Sequence, residues 1–192
     1  MTDTNHNTPA PTDVITVQGL KKYFPIKRGI LKKTVGWIRA VDDVSFQVRR
    51  GETLGLVGES GSGKTTVLRL MVRAVPSTGG QILFNPQDGD PIDVVSADRE
   101  DLKEVRSRIR VVFQDPESSL NPRMTVRRII GEPLSINERL RGRDLEEAVK
   151  RLMQIVGLKP EQLNRYPYAF SGGQRQRIGV ARALALNPQV LL

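Results

Sequence analysis

The chain has 192 residues, 30 basic against 21 acidic, a formal charge of +9, one histidine and no cysteine. That length suits one sizeable core, or a core with a helical appendage, and the lack of cysteine excludes disulfides, thiolate-bound zinc and cysteine nucleophiles. The basic excess is spread along the chain and by itself suits nucleic acid, an anionic membrane or a phosphorylated ligand alike.

Residues 1–13 begin "MTDTNHNTPAPT", a polar stretch without periodicity that is expected to be a disordered tail. The only histidine, His6, lies there, so histidine chemistry is not expected, and no window has the apolar length of a membrane span. From Val14, "VITVQ" reads as a short strand. The stretch that follows holds seven Lys or Arg and no acid between Asp13 and Asp42, with Phe24, Ile30, Leu31, Trp37 and Ile38 interspersed. It reads as a basic loop with an apolar side that suits anionic lipid or a membrane partner, against the plainer alternative of a solvated loop.

"VSFQV" alternates like a half-buried strand, Gly51 and Glu52 mark a turn, and "TLGLV" (53–57) is an apolar run suited to a buried strand. A glycine-rich turn follows. "KTTVLRLMVRAV" then has helical apolar spacing at Val67, Leu68, Met71, Val72 and Val75, with Pro76 as its stop. "GGQILF" is a strand, "PQDGDP" a loop, "DREDLKEVRSR" a charged helix, and "IRVVF" an apolar run ending at Gln114. Between 115 and 169 strand signals vanish. The clearest helix is "DLEEAVKRLMQIVGL", with Asp144 and Glu147 spaced as a capping box and Leu145, Ala148, Val149, Leu152, Met153 and Val156 as its apolar stripe. The organisation expected is a nucleotide-binding α/β core over 14–114, a helical lobe over 115–169, and a last helix with the start of a strand over 170–192.

"GESGSGKT", Gly58 to Thr65, fits G-x-x-x-x-G-K-[ST] between a predicted strand and a predicted helix. Gly58, Gly61 and Gly63 let the backbone turn so that the amides of Glu59, Ser60, Ser62 and the residues after them converge on phosphate oxygens, beside a helix N-terminus. Lys64 would bridge the β- and γ-phosphates, Thr65 would offer its hydroxyl to Mg²⁺, and Thr66 follows on the same turn. The spacing points to nucleoside triphosphate binding, but not to one enzyme class. "FSGGQRQRIGVARAL" supplies a second anion-binding helix start, with Ser171 as N-cap followed by Gly172, Gly173 and Gln174.

With these residues the sequence resembles the ATP-binding-cassette ATPases: "GESGSGKT" is similar to their Walker A loop and "FSGGQ" to their signature, with Phe170 in place of the commoner leucine. The resemblance covers nearly all of the chain from Val14. It implies an α/β P-loop core with an antiparallel β subdomain and an inserted helical lobe. It also implies an ATP held between the Walker A loop of one subunit and Ser171, Gly172, Gly173 and Gln174 of another. Gln114 in "VVFQDP" matches the family's Q-loop glutamine, placed at Mg²⁺ and the attacking water, and Tyr23 matches the aromatic residue that stacks on adenine. "LKKYFPIKRG" and "QDPESSLNPRMTV" resemble the ATPase subunits of oligopeptide and dipeptide importers. That implies a partner ATPase, two membrane permeases, an external substrate-binding protein, a place on the cytoplasmic face of the inner membrane, and no nucleic acid. In the family "NPQVLL" leads into the Walker B strand, so the chain that stops at Leu192 is expected to bind ATP but scarcely hydrolyse it, and to be cut from a longer protein. The alternatives are a family member acting on nucleic acid or the ribosome, and a nucleotide-binding module without turnover. Arg175, Arg177 and Arg182 are expected to be surface or dimer-interface charges.

Overall fold

A computed structural model describes residues 13–29, 32–113 and 119–192. The expectations for the tail before residue 13, for Ile30 and Leu31, and for Gln114 lie outside the described residues. The chain forms two compact units, one ending at Arg106 and the other spanning Ser107–Leu192.

The first unit is built on a four-stranded antiparallel sheet in the order β2-β1-β3-β4, with β1 Asp13–Arg28, β2 Lys33–Arg49, β3 Gly79–Phe84 and β4 Ile92–Asp93. Val14, Ile15, Val17 and Leu20 of β1 are buried. Two of them face buried β3 residues directly, in the pairs Ile15–Phe84 and Val17–Ile82. Each such side chain contributes about 1.5–3 kcal/mol through removal from water, which anchors β1 at the centre of the sheet.

The basic stretch predicted as a loop is instead the continuation of β1 and β2 into a long hairpin. Tyr23 pairs with Arg39, Phe24 with Ile38, Pro25 with Trp37 and Arg28 with Lys33. Local charge hid an alternating pattern that the strand partner satisfies. Phe24, Val35, Trp37 and Ile38 are left exposed.

The run 53–57 is not the predicted buried strand. It forms no strand, and Leu54, Leu56 and Val57 are exposed, Val57 at 94%. A strand exists only through a neighbour that takes its N–H and C=O groups, and no described strand pairs with this run. The helix after it, α1, spans Lys64–Met71 and stops short of the predicted end at Val75. Arg73 adopts φ 46°, and the Ala74 amide donates to the Arg69 carbonyl at 2.8 Å, closing the helix end. The Arg73 guanidinium also donates to the carbonyls of Ala97 at 2.5 Å and Val94 at 3.3 Å, which draws the chain away from the helix path. Helix α2, Arg99–Arg108, starts where the Asp98 carboxylate accepts from the amides of Glu100 and Asp101 at 2.7 and 2.9 Å.

In the second unit β5 (Ile109–Arg110) and β6 (Val190–Leu191) form a parallel pair. The pairing continues through Val112 N–H to Leu192 C=O at 2.7 Å. Helices α3 Val126–Asn137, α4 Gly142–Ile155 and α5 Gly172–Leu184 enclose one apolar cluster. Val126, Ile129, Ile130 and Leu134 meet Val149 and Met153 there, with Phe170 and Ile178. The predicted stripe on α4 is the packed one: Val149 and Met153 are fully buried, and Leu145, Ala148, Leu152 and Val156 pack at the edge. The predicted cap is not. The helix begins two residues before Asp144, with Arg141 as N-cap and no side-chain cap bond, so Asp144 contributes as an acid in the first turn instead.

Candidate functional site

The loop Gly58–Thr66 owes its shape to two local constraints. The Ser62 amide donates to the Glu59 carbonyl at 3.2 Å, and Gly61 and Gly63 take φ values of 84° and 93°. The first helical bond of α1 runs from Val67 N–H to Gly63 C=O at 3.0 Å. The amides of Lys64, Thr65 and Thr66 precede it and have no partner within the helix, so they present donors and partial positive charge at one end. Lys64 reaches back over the loop. Its ammonium donates to the carbonyls of Gly58 at 2.7 Å and Glu59 at 2.5 Å and to Ser62 Oγ at 3.2 Å. The loop is thus closed around a cation, and the loop residues are exposed apart from half-buried Gly63, Lys64 and Thr66.

Gly61 is open on its outer side, with nothing within 4 Å of a Cβ built there. Thr65 is exposed on the first turn. Among the described residues no group of three acidic, imidazole or thiol side chains could hold a metal. A Mg²⁺ that kept most of its ligands as phosphate and water would find the Thr65 hydroxyl at the start of α1.

Gly63 is pressed against β2, since a Cβ there would lie 2.1 Å from the Ala40 carbonyl oxygen. That contact brings the loop beside a cluster that sequence patterns did not reveal. The Tyr23 hydroxyl donates to Asp42, the Arg39 guanidinium sits 5.6 Å from the centre of the Tyr23 ring, and Arg39 pairs with Asp42 at 3.3 Å. The shared hydrogen bond raises the Tyr23 pKa and lowers that of Asp42, with Arg39 adding to the second effect. The Tyr23 amide is held as well, by Thr78 Oγ1 at 2.9 Å. The signal for Arg39 and Asp42 was the hairpin register, which becomes legible only once the basic stretch is paired.

In the second unit Ser171 caps α5 as predicted, and with a full capping box. Its Oγ accepts from the Gln174 amide at 3.4 Å, and its own amide donates to Gln174 Oε1 at 3.0 Å. The box consumes the Gln174 amide and leaves those of Gly172 and Gly173 at the exposed helix start. Of the three arginines expected as surface or interface charges, Arg177 is exposed and Arg175 and Arg182 are half-buried, and each donates to a backbone carbonyl. Arg175 donates to the Phe170 carbonyl at 3.1 Å, Arg177 to that of Gly157 at 3.4 Å, and Arg182 to that of Ser119 at 2.8 Å. Burial lowers the pKa of Arg182, and burial together with the Arg182 charge lowers that of Arg110; both remain cations at any working pH.

Comparison with known proteins shows the family and the fold. Residues 41–192 match the family described as ABC transporter. The sequence is 49% identical over 180 residues to the oligopeptide transport ATP-binding protein AppF of Bacillus subtilis (strain 168), covering 93% of this chain and 53% of that protein. It is 48% identical to the glutathione import ATP-binding protein GsiA of Escherichia coli (strain K12), covering 93% of this chain and 28% of that one. The chain thus spans about half, or less, of the length of the curated relatives it matches. Among solved structures, the dimeric post-hydrolysis ATP-binding cassette MJ0796 bound to ADP and Pi superposes with a TM-score of 0.77 at 27% identity, covering 92% of this chain and 72% of that one. The cbiO1 protein of Clostridium perfringens shares the fold, with a TM-score of 0.71 at 24% identity. By its sequence and its fold, the chain belongs to the ABC transporter family.

Proposed function

We propose that this chain binds ATP as the ATP-binding subunit of an importer, coupling ATP binding and hydrolysis to uptake of oligopeptides, dipeptides or a related small solute. The observation that carries the reading is Lys64, whose ammonium closes the loop Gly58–Thr66 beside the unpaired amides at the start of α1. Polyphosphate is the ligand that such a loop recognises: several backbone donors, one fixed cation and a helix terminus all favour clustered negative charge. Names of the relatives support the substrate class, since AppF is an oligopeptide transport ATP-binding protein and GsiA a glutathione import ATP-binding protein.

In this reading the amides of the loop and of Lys64, Thr65 and Thr66 hold the phosphates in place, and Lys64 balances the charge of the β- and γ-groups. Thr65 would hold Mg²⁺ through its hydroxyl, and the metal would supply neutralisation of charge that develops on the phosphates. Gln114, in the segment before Ser119, takes the family's place at the metal and the attacking water. Ser171, Gly172, Gly173 and Gln174 face the γ-phosphate of a nucleotide held by a second ATPase subunit, identical or related. The Ser171 oxygen already accepts a bond from Gln174, so its hydroxyl hydrogen remains for a phosphate oxygen. The remaining partners are two membrane permeases and an external binding protein, with this subunit peripheral at the cytoplasmic face. Among the described residues no helix is long and apolar enough to cross a membrane.

Calorimetric titration of the intact protein with ATP and Mg²⁺ tests the reading. Lys64→Ala is expected to weaken binding about 10-fold or more, the loss of one charge-assisted contact to phosphate. Equal affinity in the two proteins would place the nucleotide elsewhere or nowhere.

A further inference from the structure

The Tyr23 side chain is held more tightly than a ring at a strand edge needs to be. Its amide is fixed by Thr78, its hydroxyl by Asp42, and one face of its ring by the guanidinium of Arg39. Register explains the arrangement: Tyr23 and Arg39 are a directly paired couple across the hairpin, so their side chains lie on the same face of the ribbon. Between Arg39 and Asp42 lie Ala40, whose carbonyl meets Gly63, and Val41, whose Cγ2 lies 3.7 Å from the same built Cβ. The aromatic cluster and the phosphate loop are therefore joined through two residues of β2.

We propose that Arg39 and Asp42 are positioning residues for the purine base, Arg39 backing one face of Tyr23 so that the base stacks on the opposite face, and Asp42 fixing the ring through its hydroxyl. The inference rests on the nucleotide reading given above and goes beyond it by assigning two further residues. A planar ring stacked on a preset aromatic loses little freedom on binding, because both the ring and its support are already ordered. A cation on the far face also holds the phenol ring against rotation through its attraction to the π-system. Asp42 acts through the Tyr23 hydroxyl and by holding the Arg39 guanidinium, and Arg39 acts through the ring, so neither is expected to matter once Tyr23 is removed.

The test compares two probes on the intact protein with Mg²⁺ present: ATP, and inorganic tripolyphosphate, which has the phosphates without the base. Tyr23→Ala is expected to raise the ATP Kd about 10-fold or more, in line with stacking on an aromatic side chain. Arg39→Gln and Asp42→Ala should each raise it about 3-fold to 5-fold. Tripolyphosphate affinity should stay unchanged in all three, which a general loss of structure would not allow. Arg39→Gln added to Tyr23→Ala should give no further loss, and Tyr23→Phe should lose no more than Asp42→Ala, which also frees Arg39. Tighter ATP binding by Arg39→Gln would show that Arg39 occupies the face the base needs and would overturn the proposal. So would equal loss of ATP and tripolyphosphate, or no change in either. If the unmodified protein binds neither probe, the nucleotide reading itself fails and this inference with it.

Discussion

Gly63→Ala is the substitution whose cost the structure fixes most closely. The residue has φ 93°, a region that costs an ordinary L-residue about 1–2 kcal/mol. Its new methyl would lie 2.1 Å from the Ala40 oxygen and 3.3 Å from the Ala40 carbon, where real Cβ atoms essentially never come closer than 3.0 Å. The neighbour is backbone in the middle of β2, so close to an ångström of main-chain movement is needed, with an overpacking cost of about 1–3 kcal/mol. The total expected is about 2–5 kcal/mol of unfolding free energy. Gly61→Ala supplies the internal comparison. Its φ of 84° is equally left-handed, but nothing lies within 4 Å of the built methyl, so only about 1–2 kcal/mol is expected. Urea denaturation of both variants, followed by far-UV circular dichroism, reads the difference directly. If Gly63→Ala costs no more than Gly61→Ala, the contact with Ala40 is not a constraint, and the link drawn between the loop and the Tyr23 cluster loses its support.

Two further outcomes follow from local geometry. Ser171→Ala removes the Oγ acceptor of the capping box on α5, leaving only the bond from its own amide to Gln174 Oε1, and is expected to cost about 1 kcal/mol, whereas Ser171→Asp keeps a good cap; equal stability of all three proteins in urea would contradict the box. Glu146 has its pKa lowered, first by the hydrogen bond from Lys150 at 2.7 Å and then by the Lys150 charge, with Arg127 at 3.8 Å adding to it. A carboxylate whose folded pKa is depressed adds stability above its unfolded pKa and loses it as pH falls through the folded value. Glu146→Gln should therefore flatten the stability profile on the acid side of the ordinary glutamate range, most clearly at low salt, and identical profiles would dismiss the pair.

The elements that could be read from sequence are those whose information is local. The phosphate loop follows from glycine positions and a lysine that together admit few conformations, the cap at Ser171 from a hydroxyl and a glutamine three residues apart, and the α4 stripe from a period of 3.6. Asp144 shows the limit of even local signals: its spacing to Glu147 satisfies the capping-box pattern, but the helix starts at Gly142 and passes it by. The hairpin was illegible for a different reason. Seven basic residues outweighed the alternation of Phe24 with Ile26 and of Val35 with Trp37, and only pairing of the two arms brings Arg39 opposite Tyr23 and sets Asp42 at its hydroxyl.

The run 53–57 marks where such reading runs out altogether. A continuous apolar stretch states that both faces want cover, but not which strand provides it, because partner choice depends on residues far away in sequence. Here Leu54, Leu56 and Val57 remain exposed while the loop after them is formed. Its shape must then be anchored from the other side, by Gly63 against Ala40 and by Val67, Leu70 and Met71 of α1, which are buried. A phosphate loop anchored through β2 is tied to the same strand that carries Arg39 and Asp42. Backbone displacement of that strand would shift the phosphate donors and the support of Tyr23 together, whereas side-chain changes at Arg39 or Asp42 leave the Ala40 carbonyl against Gly63 in place and reach only the support of Tyr23.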